Sequence, residues 1–267
     1  MTKITILCDN RTLLLRPKRL LAEWGFSAII ETNKEAILFD TGQSDVALYN
    51  ALTLKLPLNK VTSIVFSHGH YDHTGGAMDF FRVITPEKLY LHPDAWLPRY
   101  YKGSYIGIVF TKEMLSDEVE IIEHREPIEV AKGIFALGEI PRKYKDATLG
   151  TIIRDGKRQE DKIIDDQSLA IKTKEGIALL LGCCHSGLIN TIEYAEEVVG
   201  DEVKFVLGGT HLIALKDNEV RETAEWLKKK VEFVAPTHCT GWKAEQILAS
   251  VLKEKLNVIG AGSKIDF

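Results

Sequence analysis

The 267 residues predict a mixed α/β (α+β) chain folded as a four-layer αββα sandwich. Three observations predict it. Strand-like runs alternate with segments of helical period along most of the chain. Ile177-Ala178-Leu179-Leu180-Leu181 is wholly apolar, as a strand covered on both faces is. Finally, Asp40, His68, His185, His211 and His238 each follow an apolar run by one to four residues. That is where a rigid sheet aims side chains into loops.

Taken in order, Lys3 to Leu7, Ser27 to Glu31, Ala36 to Phe39 and Ser63 to Phe66 read as strands. Asp45 to Leu54 has helical spacing through Val46, Leu48, Leu52 and Leu54. Thr74-Gly75-Gly76 opens a short helix through Met78 and Phe81, and Leu89 to His92 is a further strand. From Pro93 to Asp117 the period is lost. Trp96, Tyr100, Tyr101, Tyr105 and Phe110 are strewn among glycines, which reads as an aromatic-rich insertion of the kind that forms a lid or a substrate wall, or packs locally. A second half begins near Val119. Glu120 to Ile122, Ile134 to Leu137, Leu169 to Thr173, Ile177 to Leu181, Val203 to Leu207 and Phe233 to Ala235 read as its strands. Ile189 to Val199, Glu219 to Lys230 and Ala244 to Lys255 read as its helices. The charged stretch 141–165 predicts an exposed hairpin or a loop. No internal sequence repeat relates the halves, and residues 1–267 read as one domain.

Composition narrows the functional classes. Net charge of −4 gives no electrostatic footprint for nucleic acid or a membrane surface. No apolar run approaches the roughly 18 residues of a spanning helix. The start Met1-Thr2-Lys3-Ile4-Thr5-Ile6-Leu7 is a strand pattern without a secretory h-region. Cys8, Cys183, Cys184 and Cys239 form no C-x-x-C pair, which fits a reduced, cytoplasmic setting.

The densest chemistry is Ser67-His68-Gly69-His70-Tyr71-Asp72-His73. Three imidazoles and a carboxylate in six residues are costly to bury unless paired or coordinated. Neutral imidazole is a common ligand for borderline metals, and a carboxylate adds a hard oxygen. His68 and His70 alternate with Gly69, so both rings can turn to one side. Asp72 and His73 lie on the following turn and can face a second ion. His211, on the turn Gly208-Gly209-Thr210-His211, is a ligand, a proton donor or a phosphate binder. Asp40 suits a place behind a ligand histidine, accepting its N–H and fixing its tautomer. His92 and His124 lack glycine or ligand neighbours and read as ordinary residues, His92 ending a strand.

The run His68-x-His70-x-Asp72-His73 resembles the H-x-H-x-D-H signature of the metallo-β-lactamase superfamily, and Phe39-Asp40-Thr41-Gly42 resembles its D-T-G element. Further blocks are Asp9-Asn10, Glu23-Trp24-Gly25-Phe26-Ser27, Asp166-Gln167-Ser168-Leu169, Gly182-Cys183-Cys184-His185-Ser186-Gly187, Gly208-Gly209-Thr210-His211-Leu212 and Pro236-Thr237-His238-Cys239-Thr240-Gly241. These are similar to a subgroup of metal-dependent hydrolases that includes 7,8-dihydropterin-6-methyl-4-(β-D-ribofuranosyl)aminobenzene-5′-phosphate synthase. The resemblance implies a two-half αββα fold and two divalent ions, zinc first, with manganese or iron as alternatives. It assigns His68, His70 and His185 to one ion, and Asp72, His73 and His238 to the other. Most of the superfamily has a bridging Asp within a Gly-Asp element, whereas this chain has Gly182-Cys183-Cys184-His185. Cys183, His185 or a water alone takes that place, and Asp165 or Asp166 offers an oxygen.

The implied activity is metal-assisted displacement on a small phosphorylated or diphosphate substrate, with Asp72 and His211 as catalytic residues. If the synthase reaction holds, the substrate is a dihydropterin-methyl diphosphate and the 93–117 aromatics stack its ring. The alternatives are a lactone or ester hydrolase, and a non-catalytic metal-binding or redox-responsive module centred on Cys183, Cys184 and Cys239. No nucleic-acid or membrane partner is expected.

Overall fold

The computed structural model describes residues 2–12, 19–115 and 117–267. Met1, which opens the N-terminal strand pattern, and Ser116 of the insertion lie outside the described residues.

The first half runs β1 (Lys3–Cys8), β2 (Ser27–Glu31), β3 (Ala36–Phe39), α1 (Val46–Leu54), β4 (Val61–Val65), α2 (Tyr71–Thr74), α3 (Ala77–Phe81), β5 (Lys88–Leu91), β6 (Arg99–Tyr101), β7 (Ser104–Tyr105) and β8 (Glu120–Glu123). The second runs β9 (Ile128–Ala131), β10 (Ile134–Ala136), β11 (Thr151–Arg154), β12 (Lys157–Glu160), β13 (Ser168–Lys172), β14 (Ile177–Leu181), α4 (Leu188–Val199), β15 (Val203–Gly209), α5 (Asp217–Lys230), β16 (Phe233–Thr237), α6 (Trp242–Leu252) and β17 (Lys264–Asp266).

Two sheets stack face to face. One has the order β17-β1-β2-β3-β4-β5-β8, the other β16-β15-β14-β13-β10-β9. Strand neighbours alternate between faces, so central strands apolar at every position bury both. Ile30, Ile37, Phe39 and Val65 meet Leu169, Ala178, Leu180 and Leu207 between the sheets. Their neighbours Ile29, Leu38 and Ile64 face the helical side of the first half, with Ala47 and Phe80. Leu179, Leu181 and Val206 pack against α4, α5 and α6 through Ile192, Leu227 and Leu248. The result is the predicted αββα order. The C-terminal β17 crosses back to pair with β1 of the first sheet.

β3, β4, β5 and β8 run parallel, as do β14, β15 and β16. The carboxyl ends of parallel strands are where open sheets place their ligand sites. The loops after β3, β4, β14, β15 and β16 carry Asp40, His68, His185, His211 and His238.

The charged stretch 141–165 holds the hairpin β11-β12, one of the two forms expected of it, whereas 93–117 is more regular than the expected insertion loop. They form one four-stranded sheet, β12-β11-β6-β7, in which β11 pairs with β6. Trp96 and Phe110 pack edge-on, and Phe110 meets Phe66 in the core of the first half. The charge of the second stretch is partly internal. Arg99 on β6 is fully buried, donating to Asp161 (2.8 Å) and Asp165 (2.5 Å). The other Asp165 oxygen accepts the backbone N–H of Gly69 at 2.8 Å. One ion network thus ties the insertion to the histidine loop.

Replacing Arg99 by Leu leaves two carboxylates buried beside each other without their cation. The variant should lose about 3–5 kcal/mol of unfolding free energy, read by denaturant melts. A loss under about 1 kcal/mol would mean that the network adds nothing to the fold.

Candidate metal centre

The histidine loop turns sharply at Gly69. A Cβ built there would lie 2.1 Å from the carbonyl oxygen of Ala95, so only glycine lets the loop pass. Gly182 is equally constrained, since a Cβ would meet Ser67 Oγ at 2.2 Å. Asp40, Cys184, His211 and His238 all adopt left-handed backbone, with φ between 47° and 60°. Such conformations cost about 1–3 kcal/mol each for residues other than glycine and cluster at functional sites.

Asp40 organises the loop. One carboxylate oxygen accepts the Ser67 N–H at 2.7 Å, and the other accepts the Ser67 hydroxyl and His73 Nδ1, both at 2.7 Å. Ser67 Oγ lies 2.9 Å from His68 Nδ1. The hydroxyl gives its proton to Asp40 and so accepts from His68. Nδ1 is then the protonated nitrogen of both rings, and Nε2 of each points inward. His238 is set likewise: Asn10 Oδ1 lies 3.2 Å from its Nδ1, while Asp9 accepts its backbone N–H.

Two groups of side chains gather their potential ligand atoms within 4.8 Å of one another. One is His68, His70 and His185, the other Asp72, His73 and His238. Cys183 lies between them. It belongs to groups with His68 and His73, with His185 and His211, and with His238 and Cys239, and its Sγ is 3.2 Å from His73 Nε2. His211 stacks obliquely on His185 at 4.1 Å between ring centroids. Asp165 and Asp166 stand outside these groups. Asp165 serves Arg99 and Gly69, and Asp166 accepts the N–H of Ser186 at 2.9 Å. His92 caps Asp94 and contacts Arg125, and His124 bonds the Glu126 carbonyl.

The residues present fit a metal. His70 Nε2, both nitrogens of His185, and His238 Nε2 are buried without a hydrogen-bond partner. Buried polar atoms are nearly always paired, so this convergent set of unpaired imidazole nitrogens, one lone pair from each ring, suits coordination of a cation. His68 Nε2 and His70 Nδ1 are 2.8 Å apart, a hydrogen bond in which Nδ1–H of His70 donates to His68 Nε2 and leaves His70 Nε2 as that ring's open acceptor.

Electrostatics agree. Burial holds His70 down to about 3 and pushes His68 and His185 well below the imidazole range, so these three are neutral. Burial also opposes charge on Asp72, but His73 and His238 outweigh it and keep the carboxyl below its usual range. In His73, burial is overcome by the Asp40 and Asp72 carboxylates, which raise it to about 9. Around His73 the site therefore calls for positive charge. A proton supplies it in the absence of a metal.

Several residues here were given no role from sequence, Ser67, Asn10 and Trp24 entering only as parts of longer motifs. Ser67 and Asn10 orient rings, and Arg99 braces the loop from the insertion. Trp24, half-exposed, lies 5.0 Å from the His238 ring. Asp9-Asn10 does carry the common signal, polar residues directly after a strand. Arg99 carries none, since nothing local marks it as buried.

Residues 25–141 match the family model of the metallo-β-lactamase superfamily. An uncharacterised protein of Methanocaldococcus jannaschii is 40% identical over 90% of this chain and 91% of its own. The 7,8-dihydropterin-6-methyl-4-(β-D-ribofuranosyl)-aminobenzene-5′-phosphate synthase of the same organism is 30% identical over 92% of this chain and 90% of its own. Among solved structures, a metal-dependent hydrolase of the β-lactamase superfamily superposes with a TM-score of 0.88 at 30% identity, covering 100% and 99% of the two chains.

Asp40→Asn would keep the shape of the carboxylate but replace one acceptor by a donor. It should lower transition-metal affinity about 10- to 100-fold with secondary structure unchanged, measured by competition with a chromophoric chelator. Unchanged affinity would mean that the tautomers are set elsewhere.

Proposed function

The chain belongs to the metallo-β-lactamase superfamily, and from that premise we propose that it is a metal-dependent hydrolase or transferase of small phosphorylated or diphosphate substrates. The observation that carries this is the pair of three-residue groups, His68, His70 and His185 beside Asp72, His73 and His238, with Cys183 between them. Each group would hold one divalent ion, zinc being the metal best matched to imidazole with a nearby thiol. Cys183 would stand where most of the superfamily has a bridging carboxylate. When bound, the ions supply Lewis acidity that polarises a phosphoryl oxygen and acidifies a water.

The chain's own residues supply the rest. Asp40 and Ser67 hold His68 and His73 in one tautomer. Asp72, kept ionised, orients the attacking group. His211 acts as the proton donor to the leaving oxygen. Burial opposes its charged form, but Cys239 beside it and the carboxylates of Asp166 and Asp72 raise its pKa above the ordinary value. A histidine shifted that way is protonated across more of the neutral range, as a donor needs to be. The narrower reading is condensation of a dihydropterin-methyl diphosphate, supported by the likeness to the dihydropterin synthase along most of both chains. A lactone or ester hydrolase remains the competing chemistry, because the same groups polarise a carbonyl. No described helix is long and apolar enough to cross a membrane.

Metal occupancy tests the ligands. The purified protein should bind up to two transition ions per chain, and His68→Ala with His70→Ala should remove at least one. Cys183→Ala should lower occupancy of one site, whereas Cys8→Ala, outside every group, should not. Unchanged metal content in the double variant would overturn the assignment.

Turnover tests His211. His211→Ala should slow displacement on phosphorylated substrates by roughly 10²–10⁴-fold and keep its metals. Loss of an ion would make His211 a ligand. Activity on lactones alone, in a panel with dihydropterin-methyl diphosphate and simple phosphodiesters, would overturn the phosphate reading.

A further inference from the structure

We propose that Asp165, Asp166 and Gln167, on the approach to β13, are positioning residues that set the spacing of His68, His70 and His185. The ion held by those three histidines depends on them, and the ion of the other group does not. The inference rests on the reading of the two ligand groups and adds what holds the first of them together.

His68 and His70 follow β4 of one sheet, whereas His185 follows β14 of the other. The sheets meet through apolar side chains. Such packing is non-directional, and coordination needs ligand distances held to about 0.2 Å. Hydrogen bonds are directional, and the segment 165–167 sends them to both loops. Toward the histidine loop, Gln167 donates its backbone N–H to the Ser67 carbonyl at 2.8 Å and its side-chain amide to the Phe66 carbonyl at 3.0 Å. Asp165 accepts the Gly69 N–H at 2.8 Å, so His68 is bracketed on both sides. Toward the other loop, Asp166 accepts twice from Ser186, the residue after His185. Its carboxylate takes the N–H at 2.9 Å, and its carbonyl takes the hydroxyl at 3.3 Å. Gln167 is anchored in turn by the Gly138 N–H, 3.0 Å from Oε1. All three side chains are buried, where a hydrogen bond is electrostatically stronger than in water.

The other group is positioned from elsewhere. Asp9 accepts the backbone N–H of His238, and Asn10 faces its ring. The Asp72 carbonyl accepts the Phe26 N–H at 3.2 Å, and Asp40 holds His73. Among the described residues, no hydrogen bond of 165–167 reaches Asp72, His73 or His238. Each ligand group therefore has its own frame.

Single-site backgrounds separate positioning from folding. His238→Ala should leave one zinc ion at the first group, and His70→Ala should leave one at the second. Zinc affinity is measured in each by competition with a chromophoric chelator. Adding Asp166→Ala, which frees the Ser186 amide, should weaken the ion about 10- to 100-fold in the His238→Ala background. In the His70→Ala background it should change nothing. Gln167→Met, which keeps the side-chain length and removes both amide contacts, should behave the same way. It decides alone if Asp166→Ala does not fold. Equal losses in both backgrounds would make the segment a general support of the fold, and no loss in either would make it irrelevant to the site. Each result overturns the proposal. If either background binds two ions or none before the second change is added, the ligand groups are wrong and the proposal falls with them.

Discussion

The hydrogen bond from His73 Nδ1 to Asp40, 2.7 Å long and sealed from solvent, is the contact on which the orientation of the histidine loop depends. A buried carboxylate must be compensated, and Asp40 is compensated by three donors: the Ser67 amide, the Ser67 hydroxyl and His73. Satisfying Asp40 in this way fixes the His73 tautomer directly and that of His68 through the serine. The two rings on which separate ligand groups depend are thus oriented by one side chain. Gly182 follows from the same constraint, because a Cβ there would displace Ser67 Oγ and approach Asp40 Oδ2 to 3.1 Å. The glycine of the Gly182-Cys183 element therefore protects the hydrogen bonds behind the ligands rather than the ligands themselves.

The sheets supply the second constraint. Five strand ends must deliver side chains to one small volume, and straight continuation of extended backbone would carry them past it. The chain solves this by turning abruptly at Asp40, Cys184, His211 and His238, all left-handed. That strain of about 1–3 kcal/mol per residue is tolerable only because the sandwich core on either side is so extensively buried. Fold stability and site geometry are in this sense one problem.

Much of this was legible in the sequence, for identifiable reasons. Strands such as Ala36–Phe39 and Ile177–Leu181 are apolar over their full length, and period and length leave little ambiguity. The histidine loop is legible because ligand residues crowd into one short segment. What stayed hidden was long-range. β17 is three residues, Lys-Ile-Asp, recognisable only once β1 offers it an edge. β9 alternates weakly and is half-buried. The aromatic insertion and the charged stretch looked unrelated, because pairing of β6 with β11 spans about fifty residues and has no local signature. Arg99 belongs to the same class, since its burial depends on Asp161 and Asp165 arriving from the distant segment.

The hidden contacts also explain why family membership alone does not fix the substrate. Side chains that would meet the metals come from loops after sheet strands and follow from the shared architecture. A cavity beside His211 is lined by Cys184, Thr210 and His211 of those loops, and beyond them by the stretch 144–147, the start of α4 and one face of α5. Ala147 donates its backbone N–H to the His185 carbonyl at 2.8 Å, which ties this added wall to the ligand loop. Segments outside the shared strand ends thus add to the surroundings of the site, as expected where functions are grafted onto one fold.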